Sequence, residues 1–230
     1  MCNSACLAFG RSRLTRDVVW DKAVIEVGSR DVNGSLRPHV EALGARRYVG
    51  VDIEAGPGVD AICDISTLAR TFGAESFDVV ITTEVMEHVR DWRSAISNLK
   101  QVLKPGGLLL LTTRSKGFSY HGYPYDFWRY EIDDMRRIFS DCSIVAVESD
   151  PQSPGVFVVA RKPTAFVERA LDDIDLYSIV VRRRCHDISD VDISVRKLKR
   201  RMRLLSARVL PSRVHAGLER VLAWSNRRTT

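Results

Sequence analysis

Polar side chains crowd the end of one short stretch, FDVVITTEVMEHV (Phe77 to Val89). An apolar run leads into Thr83, Glu84, Glu87 and His88, where a buried strand would stop. Polar groups at such a place are costly unless solvated or paired. An imidazole ordinarily titrates at about 6.5, so His88 can take a proton near neutrality, with Glu87 behind it. The competing reading makes His88 a plain ion-pair partner of Glu84 or Glu87. Two further carboxylates close apolar runs: Asp52 ends YVGVD, and Asp64 lies in AICDIS. A carboxylate at a strand end can accept both hydroxyls of a ribose, or simply form a turn. Asp64 can accept an adenine amine, or cap a helix beginning near Ser66. Gly28 ends AVIEVG, and a glycine there lets a ligand approach the backbone. The loop that follows is not GxGxxG: Arg30 stands where a dinucleotide pyrophosphate needs a small residue, which argues against NAD. A tight turn with no ligand is the alternative for this loop.

The segment FSYHGYPYDFWRY (Phe118 to Tyr130) holds 7 of the chain's 18 Phe, Trp and Tyr residues. Connecting loops are normally polar and exposed, so this density asks for a reason. One reading is a lid over a ligand, with Tyr123, Tyr125 and Trp128 as a substrate wall and Asp126 as a further candidate base. The other is a satellite core in which Asp126 and Arg129 form a local ion pair.

Elements of alternating type must position these groups. Ala23 to Gly28, Tyr48 to Asp52, Phe77 to Thr82 and Gly107 to Thr113 read as buried strands. Ser35 can cap a helix carrying Leu36, Val40 and Leu43, which Gly44 ends. Asp91 can cap another, with Trp92, Ile96, Leu99 and Leu103 on one face, and Ile132, Met135 and Phe139 mark a third. The alternation predicts βαβ units around a mostly parallel sheet. CSIVAVES and GVFVVARK flank the short turn PQSPG (Pro151 to Gly155), so that last pair must run antiparallel.

The chain has 230 residues, 45% hydrophobic and 28% charged, an ordinary globular balance for one domain with an appendage. No apolar run is long enough to cross a bilayer, and the first residues lack the core of a secretory signal. Five cysteines without CxxC spacing disfavour a zinc site or a disulfide framework, so no metal is expected and the reducing cytoplasm is. The net charge of +6 conceals an asymmetry. Residues 1–180 hold 21 Lys and Arg against 25 Asp and Glu, whereas 181–230 hold 14 against 4. From Ile193 the positions Val195, Leu198, Met202, Leu205 and Val209 follow helical spacing amid Arg and Lys; Pro211 breaks that helix, and a second begins near Ser212. The basic tail reads as a docked helical hairpin, as a helix on the inner membrane face, or, less well, as a contact for nucleic-acid phosphates.

The order VIEVG, Asp52, CDIS, FDVVITTEVMEHV and LKPGGLLLLTT resembles class I S-adenosylmethionine-dependent methyltransferases, most of all the type 11 group. The likeness runs from about Ala23 to Lys162. It implies a Rossmann-like, doubly wound seven-stranded sheet with its last strand inserted antiparallel, spanning residues 1–164, ahead of a basic helical extension over 165–230. It also implies S-adenosylmethionine as cofactor. Glu26, Gly28 and Ser29 would face its methionine part, with Thr83 and Glu84 beside it. Asp52 and Ile53 would hold the ribose, and Asp64 with Ile65 would flank the adenine. The loop departs from the family pattern, since Ser29, Arg30 and Asp31 follow Gly28 and the next glycine is Gly34. Arg30 and Asp31 either pair with each other or meet the ends of the methionine. By analogy the acceptor is a small molecule, such as a sugar or a lipid-linked glycan, with His88 the first candidate base. The rivals are a nucleic-acid methyltransferase using the tail and a non-catalytic binding module.

Overall fold

The computed structural model describes residues 3–122 and 125–209. Two N-terminal helices, α1 (Ser4–Arg13) and α2 (Arg16–Val19), precede β1 (Ala23–Val27), α3 (Arg37–Ala42), β2 (Arg47–Asp52) and β3 (Ala61–Ile62). A 3-10 turn (Ile65–Thr67) leads into α4 (Leu68–Phe72) and β4 (Phe77–Thr83). A second 3-10 turn (Met86–His88) precedes α5 (Trp92–Val102) and β5 (Leu103–Arg114). Then follow β6 (Trp128–Arg129), α6 (Ile132–Ile138), β7 (Ser143–Ser149) and β8 (Gly155–Arg161). The last elements are β9 (Leu176–Ser178), β10 (Arg183–Cys185) and α7 (Asp190–Val209).

Seven strands form one sheet in the order β3-β2-β1-β4-β5-β8-β7. The β1–β2, β1–β4, β2–β3 and β4–β5 pairs are parallel. The β7–β8 hairpin is antiparallel, and β8 enters beside β5 in the opposite sense. This is the topology the sequence predicts. Burial explains it: every residue of β1 is buried, so a strand without a solvent face must lie inside a sheet covered on both sides. One core layer packs Ile25, Val80, Leu109 and Val158 under α5; the other packs Val24, Val79 and Leu110 under α1 and α3. Asp91 caps α5 by accepting from the Ser94 N–H, and Trp92, Ile96 and Leu99 are buried as expected. Each such side chain contributes roughly 1.5–3 kcal/mol. Leu103, read as the last position on that face, instead opens β5. Ser35 accepts from the Arg37 N–H, and Gly44 turns the chain out of α3 at φ 87°.

Residues 165–189 correct the expectation of a wholly helical extension. They build no helix; β9 pairs with β6 and with β10 in a separate three-stranded sheet. Leu171, Ile174, Leu176 and Ile188 enter the same core as α5 and α6. Only α7 is helical, and the segment from Ser212 read as a second helix lies outside the described residues. Among the described residues, no helix is long and apolar enough to cross a membrane.

Candidate active site

The strand order reverses between β1 and β4, and ligands of open α/β sheets bind beyond the carboxyl ends of strands at that point. Gly28, Asp52 and Thr83 all end strands on this rim. Asp52 is half-buried; its Oδ2 accepts from the Arg30 N–H at 3.3 Å and its Oδ1 from the Glu54 N–H at 3.1 Å. Each oxygen keeps a second lone pair for a donor such as a ribose hydroxyl. Ile53 beside it is 63% exposed, an apolar shelf next to a carboxylate. The Cys63 N–H donates to the Asp52 carbonyl at 2.9 Å, which brings exposed Asp64 to the same rim. Asp64 is a cap, since Oδ1 accepts from the Ser66 N–H and hydroxyl, and it leaves Oδ2 without a hydrogen bond among the described residues. Ile65 is buried behind it. Two carboxylates on one rim beside an exposed isoleucine offer the acceptors and the apolar face that the resemblance implies for the nucleoside half of S-adenosylmethionine.

The other half departs from expectation. Gly28 has φ 79°, and a Cβ there would lie 2.1 Å from Val85 Cγ2, so packing alone requires the glycine. Ser29 is buried over Gly50, with its hydroxyl making no hydrogen bond. Glu26 is sealed inside the sheet, accepting from the Tyr48 hydroxyl, and burial pushes its carboxyl up to about 7. Arg30 pairs with Glu54 and Asp31 accepts from the Gly34 N–H, so the two neighbours do not pair with each other. Thr83 is half-buried at the rim. Glu84 takes a left-handed backbone (φ 59°) and buries its carboxyl against the Arg114 guanidinium and the Cys6 thiol of α1. The resemblance implies a place for it beside the methionine part of the cofactor; here its carboxyl is engaged by Arg114 and α1.

Around His88 the chain builds a second cluster. Its Nδ1 donates to the Tyr125 carbonyl, which leaves Nε2 as the proton-accepting nitrogen, 3.8 Å from Glu87 Oε1. Gly122 is the residue that permits this, since a Cβ there would meet His88 Cε1 at 2.6 Å. Glu87 is fully buried; Oε2 accepts from the Thr113 hydroxyl at 2.8 Å, and Oε1 faces the His88 and His121 rings at 3.8 and 3.6 Å. Burial opposes the Glu87 charge, but His121 and His88 outweigh it and hold the carboxyl below its usual range. His121 was missed by the sequence reading, although a histidine inside an aromatic loop was a signal for it. Its Nε2 lies 3.6 Å from Glu87 Oε1 and its Nδ1 3.1 Å from Asp126 Oδ2, and its ring stands 4.7 Å from that of His88. Although burial works against its charge, the two carboxylates raise His121 to about 9.

Asp126 and Trp128 are corrections. Asp126 grips Arg129 through both oxygens, at 2.6 and 2.9 Å, with both residues fully buried. Burial is overcome by Arg129 and His121, which hold Asp126 at about 2, so it anchors the loop rather than taking a proton. Trp128 is fully buried and donates its indole N–H to the Arg90 carbonyl, so it presents no surface to a substrate. Tyr125 is 62% exposed beside His88; Tyr123 lies outside the described residues. No metal is expected from the sequence; Glu87, His88 and His121 nevertheless offer ligand atoms within 4.8 Å of one another, a set spanning 34 positions that spacing alone does not reveal.

Comparison with known proteins agrees with this geometry. A family model described as "Methyltransferase domain" matches residues 17–146. The ubiquinone biosynthesis O-methyltransferase of Parvibaculum lavamentivorans is 33% identical over 70 residues, 30% of this chain and 27% of that protein. The Bradyrhizobium protein of the same name is 28% identical over 129 residues, 50% of this chain and 49% of its own length. The chain thus spans about half, or less, of the curated relatives it matches. The Burkholderia thailandensis 1,6-didemethyltoxoflavin-N1-methyltransferase, solved with bound 1,6-didemethyltoxoflavin and S-adenosylhomocysteine, superposes with a TM-score of 0.58 at 14% identity. That superposition covers 70% of this chain and 80% of the other. With more than half of its length inside the family match, the chain belongs to the methyltransferase-domain family and has the fold of the class I S-adenosylmethionine-dependent methyltransferases.

Proposed function

We propose that the protein transfers a methyl group from S-adenosylmethionine to a hydroxyl of a small molecule, with His88 as the base. The observation that carries this reading is the oriented imidazole: Nδ1 tied to a backbone carbonyl, and Nε2 turned toward a buried Glu87 oxygen 3.8 Å away. The cofactor would supply an electrophilic methyl on its sulfonium. His88 Nε2 takes the acceptor proton, and Glu87 stabilises the imidazolium that forms. The Tyr125 carbonyl holds the ring in place, and Asp52, Ile53 and Asp64 hold the adenosine. A phenolic hydroxyl, near 10 in acidity, is within reach of an imidazole, whereas a sugar or glycan hydroxyl is far less acidic. The relatives named as O-methyltransferases of ubiquinone biosynthesis support an oxygen of a small molecule as the acceptor.

His88→Ala is expected to lower turnover by about 10²–10⁴-fold while S-adenosylhomocysteine affinity is kept. Release of S-adenosylhomocysteine from a panel of phenols measures the first and titration calorimetry the second. A drop below about tenfold would remove His88 from the role.

A second reading rests on the same three groups. A divalent cation held by Glu87, His88 and His121 would polarise the acceptor oxygen in place of a base. Dialysis against a chelator would then lower both turnover and the unfolding temperature, and Mn²⁺ or Zn²⁺ would restore them. Unchanged values on both counts leave His88 acting as the base.

A further inference from the structure

Helix α7 leaves the body carrying an apolar stripe in contact with solvent. Val191, Val195, Leu198, Met202 and Leu205 alternate spacings of four and three, which places them on one face. They are between 43 and 70% exposed. The same helix holds seven Lys and Arg from Ile193 to Val209 and no Asp or Glu after Asp192. Its root is fixed to the body. Arg90 pairs with Asp190 at 2.6 Å and donates to the Ile188 carbonyl at 2.8 Å. The Arg196 guanidinium stands 5.0 Å from the ring of Tyr120, in the loop that also carries His121. The helix therefore starts beside the candidate active site, and Arg90 lies two residues from His88.

We propose that α7 is a docking surface for an anionic lipid bilayer, with the stripe sunk among the acyl chains and the flanking cations against the headgroups. Charge complementarity selects this occupant. A second copy of the helix would satisfy the stripe but set two purely cationic segments side by side. A nucleic acid would satisfy the cations and leave the stripe in water. Of these three occupants a bilayer surface satisfies both, and the density of charge keeps the helix on that surface instead of across it. The proposal concerns where the molecule sits, and it stands whether or not methyl transfer is its chemistry.

Flotation of the full chain tests it, with vesicles of phosphatidylcholine alone and with about one-third phosphatidylglycerol. The chain is expected to float with the anionic vesicles only, and less so as salt rises. The double variant Leu198→Glu/Met202→Glu removes the stripe and is expected to weaken binding at least about tenfold. Lys197→Glu/Arg201→Glu reverses flanking charge and is expected to do the same. Both pairs replace exposed residues other than those that fix the root of the helix, so unfolding temperatures should hold; if the first variant loses its transition, the second decides alone. The proposal is overturned by failure to float with anionic vesicles at low salt, or by binding that both variants retain. It is equally overturned by a dimer or an RNA complex formed through α7 in a chain that ignores vesicles.

Discussion

Glu26 shows what a residue type conveys and what it leaves to the fold. An acid ending an apolar strand beside a glycine suits a ligand contact, yet here the carboxyl lies within the sheet under Tyr48. The two meet because β1 and β2 pair in a register that sets Val24 against Tyr48 and Glu26 against Gly50, which no local pattern predicts. Burial raises the Glu26 pKa from 4.5 to about 7, with the Tyr48 hydroxyl pulling the other way. Between those values the folded chain keeps a proton that the unfolded chain has released, so stability falls as pH rises through that window. Glu26→Gln keeps an acceptor for Tyr48 and removes the titration. At pH 8, compared with pH 5, the variant should gain on the order of 2–3 kcal/mol relative to the native chain. Urea unfolding at both pH values measures this, and parallel pH profiles for the two chains would show that Glu26 carries no such strain.

At the scale of elements, legibility followed length and burial. β1, β4 and β5 were readable because continuous apolar runs bounded by glycine or polar residues leave few alternatives. The β7–β8 hairpin followed from its short turn. The sheet of β6, β9 and β10 was invisible, since strands of two or three residues carry no period and are made by tertiary contact. That error matters for the domain boundary at 164. A chain ending there would lose four buried apolar anchors, Leu171, Ile174, Leu176 and Ile188, together with the β9 strand that pairs with β6. At roughly 1.5–3 kcal/mol each, those side chains match the whole stability of a typical domain, about 5–15 kcal/mol. The chain ending at Thr164 should therefore show no cooperative thermal transition, and the chain ending at Ser189 should keep one. Circular dichroism melts separate the two, and a sharp transition in the shorter chain would restore the boundary at 164.

For the molecule as a whole, the reversal of strand order divides the rim into two halves. The β2 and β3 ends carry Asp52 and Asp64, legible because each closes an apolar run, with Ile53 beside Asp52 supplied by the resemblance alone. The β4 and β5 ends carry Glu87 and Thr113, and their second imidazole arrives on a loop 33 residues beyond His88. Among the described residues the halves share no hydrogen-bond partner: Asp52 uses the Arg30 and Glu54 amides, whereas His88 uses the Tyr125 carbonyl. Separate support implies separable energetics. Asp52→Ala removes charged acceptors from the nucleoside and should weaken S-adenosylhomocysteine by about 10–100-fold. His88→Ala should leave that affinity within about twofold and act on turnover alone. In the double variant the two effects on transition-state stabilisation should add to within about 0.5 kcal/mol, since sites without common partners behave independently. A coupling above about 1 kcal/mol in that cycle would mean that the adenosine carboxylate and the imidazole act as one unit. The two-halved description of the rim would then fail, and the closed packing of Val85 on Gly28 between them would be the first place to look for the link.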